Sequence, residues 1–426
     1  MSVSDRERVS HVVRRLSVGA HPDVVGALRT TDDAIARALD LSAPAAPPPT
    51  LAPPATEEES RRVAAITEPL AWWIGRMRAD SRLIEERLVW FWHDHFATSI
   101  AKVRVPYLMW QQHLTIRRYA TGSFADLLHA MAKDPAMLVW LDGVTNTARQ
   151  RNENFGRECM ELFTLGRNAG YTQDDVVAAS RAFTGWVVDV PFRRNAVAAG
   201  AAPYAAAFVP RRHDAGTKTL LGATGDFDLE GALDVILDHP AAARFVATKL
   251  HRELVGVDPD PPTVARLAAT FRRDWGVLSL VEAIVTSPAF TSDAAVRAKV
   301  RTPLEKLVTL LQAVPSRAPA HAANGGGKAA LAALRRMGYV PFAPPNVGGF
   351  PKGAPLLGPH ELVHALDLLA AIGGPPPEAF TADVDALFAR FGVFDVAPAS
   401  RAVVASHDDP VTRVALVLTS PEVALT

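Results

Sequence analysis

The chain has 426 residues, with 45 Lys and Arg against 45 Asp and Glu, 49% hydrophobic residues and one cysteine. So much apolar material excludes intrinsic disorder as the overall state. The balanced charge argues against a dedicated nucleic-acid binder, which needs a basic excess or a basic face. The lone Cys159 excludes an intramolecular disulfide framework and Cys-rich zinc or iron–sulfur sites.

The amino terminus, MSVSDRERVSHVVRRL, is charged and lacks the apolar run of a signal peptide. No uninterrupted apolar stretch approaches the ~20 residues needed to span a bilayer. As written, the expected location is the cytoplasm. Residues 1–42 read as an N-terminal helical segment and 43–60 as a Pro-rich linker, with six prolines in 42–60 followed by Glu57-Glu58-Glu59. Residues 61–426 read as the main helical domain, with a dense polar core of motifs over 90–222 and a flexible loop at 314–328. Two further loops are expected, an Ala-rich insertion at 193–207 and a Gly-Pro turn at 373–377.

Apolar residues at three- and four-residue spacing predict helices over Asp126–Met131, Ala241–Leu254, Pro261–Phe271 and Glu361–Ile372. A repeated device marks new helix starts: a capping residue followed by Pro, at Asp134-Pro135, His239-Pro240, Ser287-Pro288 and Ser420-Pro421. Trp186–Val190 is the best strand candidate, pairing with Ala207–Pro210. The expected fold class is mainly α, a large multi-helix globular domain with at most a small β-hairpin.

Four motifs carry chemistry. In Trp90-Phe91-Trp92-His93-Asp94-His95-Phe96 two histidines and a carboxylate sit among aromatics, which suits a metal or proton-transfer site. On a continuous helix, however, residues two apart point about 200° away from each other. Each histidine would then bond a different neighbour in an aromatic core. In the segment 152–166, Asn154, Glu158 and Glu161 form one polar stripe at helical spacing, while Glu153, Arg157 and Glu161 form another. Such a face presents metal ligands in helical bundles, or else forms ion pairs with Arg157. Thr172 with Asp175 has the form of a capping box, with Asp174 beside the helix dipole. His213-Asp214, followed by Gly216 and Lys218, reads as a turn able to hold a metal, an anion or an acidic group, or as a solvated turn. Cys159, on the packing side of its helix, reads as an inert core thiol.

These motifs in this order resemble the bacterial domain-of-unknown-function 1800 family: Phe91–Phe96, Asn152-Glu153-Asn154 through Glu158 and Glu161-Leu162, Tyr171–Val176, Ala182–Trp186, His213-Asp214 through Lys218, and Pro344-Pro345-Asn346-Val347. The opening His11–Gly19 and closing Ser420-Pro421-Glu422 extend the resemblance over nearly the whole chain. Cys159 stands where the family usually has Leu, and Phe350 and Leu356-Leu357 where Trp is usual. The resemblance assigns no reaction. It implies a protein partner of the domain-of-unknown-function 1501 family, and export in many members.

Two functions follow as expectations. The first is a metal-dependent enzyme, a hydrolase or oxidoreductase, holding a divalent ion on His93, His95, Glu158, Glu161 and His213. Its catalytic candidates are Glu153, Asp174, Asp214 and Lys218. The second is a non-catalytic helical scaffold that binds a partner chain and whose polar cluster is structural. The enzyme reading requires the nominated side chains to converge in one solvent-reachable pocket.

Overall fold

The computed structural model describes residues 3–61, 64–192, 202–314, 326–358, 360–371 and 383–426. The expected flexible loop at 314–328, the insertion at 193–207 and the turn at 373–377 fall wholly or largely outside the described residues. Helices dominate the described residues, so the mainly α fold class is established. Two antiparallel two-stranded ladders accompany the helices: β1 (Trp186–Val188) with β2 (Ala206–Phe208), and β3 (Lys218–Leu220) with β4 (Ala223–Gly225). The first pairs the two segments expected to pair. The second makes a hairpin of the segment read only as a turn and extended chain. Among the described residues, no helix is long and apolar enough to cross a membrane.

Helix ends follow local chemistry. Helices run over Pro240–Val255 and Pro261–Phe271, with Pro at the first turn, where a missing N–H costs nothing. Asp134 caps its helix by accepting from Met137 N at 3.0 Å, and His239 Nδ1 accepts from Ala241 N at 3.3 Å. The box at Thr172 and Asp175 is present, and Asp175 also accepts from Leu221 N, tying that helix to β3. Ser287-Pro288 departs from expectation. It lies in a run of turns, where Ser287 Oγ bonds back to Ile284 O and no helix follows.

One continuous core spans the chain from Val9 to Val423. The N-terminal helix Asp5–Leu16 contributes Val9, Val12, Val13 and Leu16 to it and buries its polar residues Glu7, Arg14 and Arg15 as well. The Pro-rich stretch is extended and mostly exposed. It is tied down by Trp72 Nε1 donating to Pro47 O (3.0 Å) and Trp110 Nε1 to Pro49 O (3.1 Å). At the centre lies helix Leu83–His95, every residue of which is buried. Its apolar residues occupy all sides, the pattern of a helix enclosed by neighbours rather than lying at a surface.

Candidate functional site

Because helix Leu83–His95 continues through the His-Asp-His motif, its two histidines diverge. His93 Nε2 accepts from Phe342 N at 3.0 Å inside a cage of Trp73, Trp90 and Phe342. Burial lowers its pKa to about 4. His95 Nε2 bonds Phe163 O at 3.0 Å among Phe91, Phe96 and Phe124. Burial, reinforced by the nearby Lys249, holds it neutral well below the usual range. Both rings are packed parts of the aromatic core, each bonded to a different backbone group.

The segment 154–164 is not one regular helix. An α-turn Asn154–Glu158 passes into a π-helix over Cys159–Thr164, with Leu165 N donating to Met160 O at 2.8 Å. The wider turn breaks the stripe read from the sequence. Glu161 pairs with Arg167 at 2.5 Å, and Glu153 accepts from Arg157 at 3.0 Å and Gln173 at 2.7 Å near the surface. An exposed pair of the latter kind contributes little to stability, about 0.3–0.5 kcal/mol. Glu158 is half-buried, and its pKa is raised by burial and then by Glu161. Cys159 is fully buried, with its thiol pushed up to about 12, as befits an inert core group.

Asp174 is exposed on the first turn of helix Gln173–Ala182. Asp214 takes a two-pronged pair from Arg181 at 2.8 and 3.0 Å, which lowers its pKa. His213 Nδ1 lies 3.1 Å from both Thr184 Oγ1 and Thr184 O, and buried Lys218 donates to Gly216 O at 2.8 Å. The structure therefore gathers the nominated residues into separate neighbourhoods. Among the described residues, no three of the nominated His, Glu and Asp side chains bring ligand atoms within 4.8 Å of one another.

What the fold does bring together is a different set, around the residue between the two histidines. Asp94 Oδ1 accepts from Phe350 N at 2.7 Å and its Oδ2 pairs with Lys352 at 2.5 Å. The Pro-Asn-Val-Gly-Gly-Phe turn thus wraps onto the central helix. Asp94 and Lys352 open into a cavity of about 370 Å³, walled by Trp90, Phe91 and Tyr339 and bearing Lys249, Arg252, Glu253 and Lys299. Three of its four cations have carboxylate partners: Lys352 with Asp94, Arg252 with Asp258, and Lys299 with Glu253. Lys249 has no hydrogen bond or ion pair among the described residues. Its ammonium lies 5.3 Å from the Phe245 ring centroid. Burial, then Lys352, lowers its pKa to about 8 against the opposing pull of Asp94.

Behind the cavity runs a buried charge network. Arg87 Nη1 contacts Glu305 at 2.5 Å and Glu253 at 3.1 Å, and Lys299 contacts both carboxylates. Arg87 Nη2 also donates to the carbonyl of Arg14, which pairs with Glu7 at 2.7 Å. Among the described residues, Arg14, Arg15, Arg87, Arg297, Arg301 and Lys299 outnumber Glu7, Glu253 and Glu305 in this network, six cations to three anions. Buried nitrogens of Arg14, Arg15, Arg87 and Arg301 have no hydrogen-bond partner among the described residues. Desolvation lowers Arg15 and Arg301 to about 9.

Sequence reasoning passed over Lys249, Glu253, Lys299 and Lys352. A weak signal was available in Lys249 and Glu253, which stand four apart in helix Pro240–Val255. No curated protein and no solved structure matches the chain. The family described as "Protein of unknown function (DUF1800)" matches residues 11–425, nearly the whole chain, and the protein belongs to that family.

Proposed function

We propose that the chain binds a small anionic molecule in the Asp94–Lys249–Lys352 cavity and acts on it by acid–base chemistry through Lys249. One observation carries this reading: a half-buried ammonium with no carboxylate partner among the described residues, facing a cavity backed by buried cations in excess. A carboxylate or phosphate there would supply the missing negative charge. The aromatic wall of Trp90 and Tyr339 suits an apolar body attached to it. Near neutral pH Lys249 is mostly the ammonium that holds the anion, and a pKa lowered to about 8 makes it a ready donor of a proton to the bound molecule. This replaces a metal centre on His93, His95, Glu158, Glu161 and His213 as the reading the geometry favours.

The scaffold alternative has its own support, since most of the nominated polar residues are already paired within the fold. The two separate in one experiment, titration of the protein with inorganic phosphate and with benzoate by calorimetry and tryptophan fluorescence. Lys249→Met, verified as folded by circular dichroism, is expected to weaken binding at least about tenfold, and Lys249→Arg to retain it. Absence of binding to the wild type, or equal binding by Lys249→Met, would favour the scaffold.

A further inference from the structure

A second polar cluster lies well away in sequence from the motifs above, at the start of helix Glu361–Ala371. Residues 360–364 read His-Glu-Leu-Val-His, a spacing that sets two imidazoles one turn apart on one helix face. His360 stands at the cap position, its carbonyl accepting the first helical bond from His364 N at 3.0 Å. The two rings face each other edge to face, with centroids 4.8 Å apart. Among the described residues, His360, Glu361 and His364 are the one group of three such side chains whose ligand atoms all lie within 4.8 Å of one another.

We propose that His360, Glu361 and His364 bind a divalent transition-metal ion of the zinc class. Two imidazoles and a carboxylate are the borderline donor set that such ions take, and the absence of thiolate is no obstacle. The spacing fits. Glu361 Oε1 is 3.7 Å from His364 Nδ1, too long for a hydrogen bond. It is close to the roughly 3.3–3.5 Å edge of a tetrahedron with metal–ligand bonds of ~2.0–2.2 Å.

The two oxygens of Glu361 divide their roles. Oε2 pairs with Lys306 in the first turn of helix Pro303–Ala313, which orients the carboxylate and leaves Oε1 facing the histidines. Lys306 is nearly buried, so this anchor is held by the core. Its neighbour Glu305 belongs to the charge network behind the cavity, so one helix turn braces both sites. Gly358 gives His360 its place: a Cβ there would lie 2.7 Å from the His360 ring. His360 is exposed, leaving the fourth position open to water or to a ligand atom from a substrate.

The site shares no ligand residue with the anion cavity and is tested separately. Tag-free protein, stripped with chelator and dialysed, is titrated with Zn²⁺ by calorimetry and with Co²⁺ by visible absorption. The expected result is one ion per chain and the intense d–d bands of four-coordinate cobalt. His364→Gln is expected to weaken binding at least about tenfold and abolish those bands. His360→Gln, at an exposed position where folding is not at stake, is expected to do the same. Binding that survives in both variants with unchanged affinity, or a wild type that binds neither ion, would overturn the proposal.

Discussion

Glu305→Ala is expected to destabilise the fold by about 3–5 kcal/mol, the range for removing one partner of a buried ion pair. Glu305 is buried, contacts Arg87 at 2.5 Å and Lys299 at 3.6 Å, and its second oxygen accepts from Thr302 N at 2.8 Å. Truncation leaves Arg87 and Lys299 with Glu253 alone in a region already holding more cations than anions. It also removes half of the capping box that starts helix Pro303–Ala313. Urea denaturation should show a lower midpoint with an unchanged slope. Loss of less than about 1 kcal/mol would contradict the network.

The same residue sets the acid limit of stability. Burial pushes Glu305 upward, but Lys299 and Arg87 outweigh it and hold the carboxyl well below the usual range. Burial is likewise outweighed at Glu253 by Lys299 and Arg87, and at Glu7 by Arg14 and Arg297. Carboxyls with depressed folded-state pKa values contribute stability above their unfolded values of ~4.3. That contribution is lost as pH falls below that value toward the folded ones. The wild type should therefore unfold progressively in acid below pH ~4.3, and Glu305→Ala should show a shallower loss.

Gly349→Ala is expected to cost about 2–4 kcal/mol and to abolish anion binding. Gly349 adopts φ +94°, and a Cβ there would lie 2.4 Å from Asp94 Oδ1 and 2.9 Å from Asp94 O. The methyl group would displace the oxygen that accepts from Phe350 N. The Asp94–Lys352 pair would shift with it, because both belong to the turn's grip on the central helix. Denaturation and phosphate titration of the variant check both halves. Wild-type affinity in a folded Gly349→Ala protein would contradict this placement of the turn.

Much of the fold was legible because helix ends are written locally. Pro261–Phe271 is bounded as its periodicity requires, and the Thr172–Asp175 box formed as spaced. Ser287-Pro288 has the same letters as a helix start, yet Ser287 bonds backward, and only tertiary context makes that choice. The π-helix at 159–164 was not legible, since one extra residue per turn leaves no mark in composition. The anion cavity was hidden for a related reason. Its charges come from positions 94, 249, 253, 299 and 352, which no local window contains. The densest motif holds His93 and His95, whereas helical geometry turns both into the aromatic core and sends Asp94 to the cavity. The His-Glu-x-x-His pattern at 360–364 is legible in the sequence alone and stands outside the polar motif core over 90–222.

The most direct test of the anion site is the titration of Lys249 itself. Amine-directed labelling across a range of pH, read residue by residue by mass spectrometry, follows the neutral fraction of each lysine. Lys249 is expected to label with a midpoint of about 8, well below the ~10.4 of an unperturbed lysine, and to be protected by phosphate. A midpoint in the ordinary lysine range, or labelling that phosphate leaves unchanged, would contradict the account.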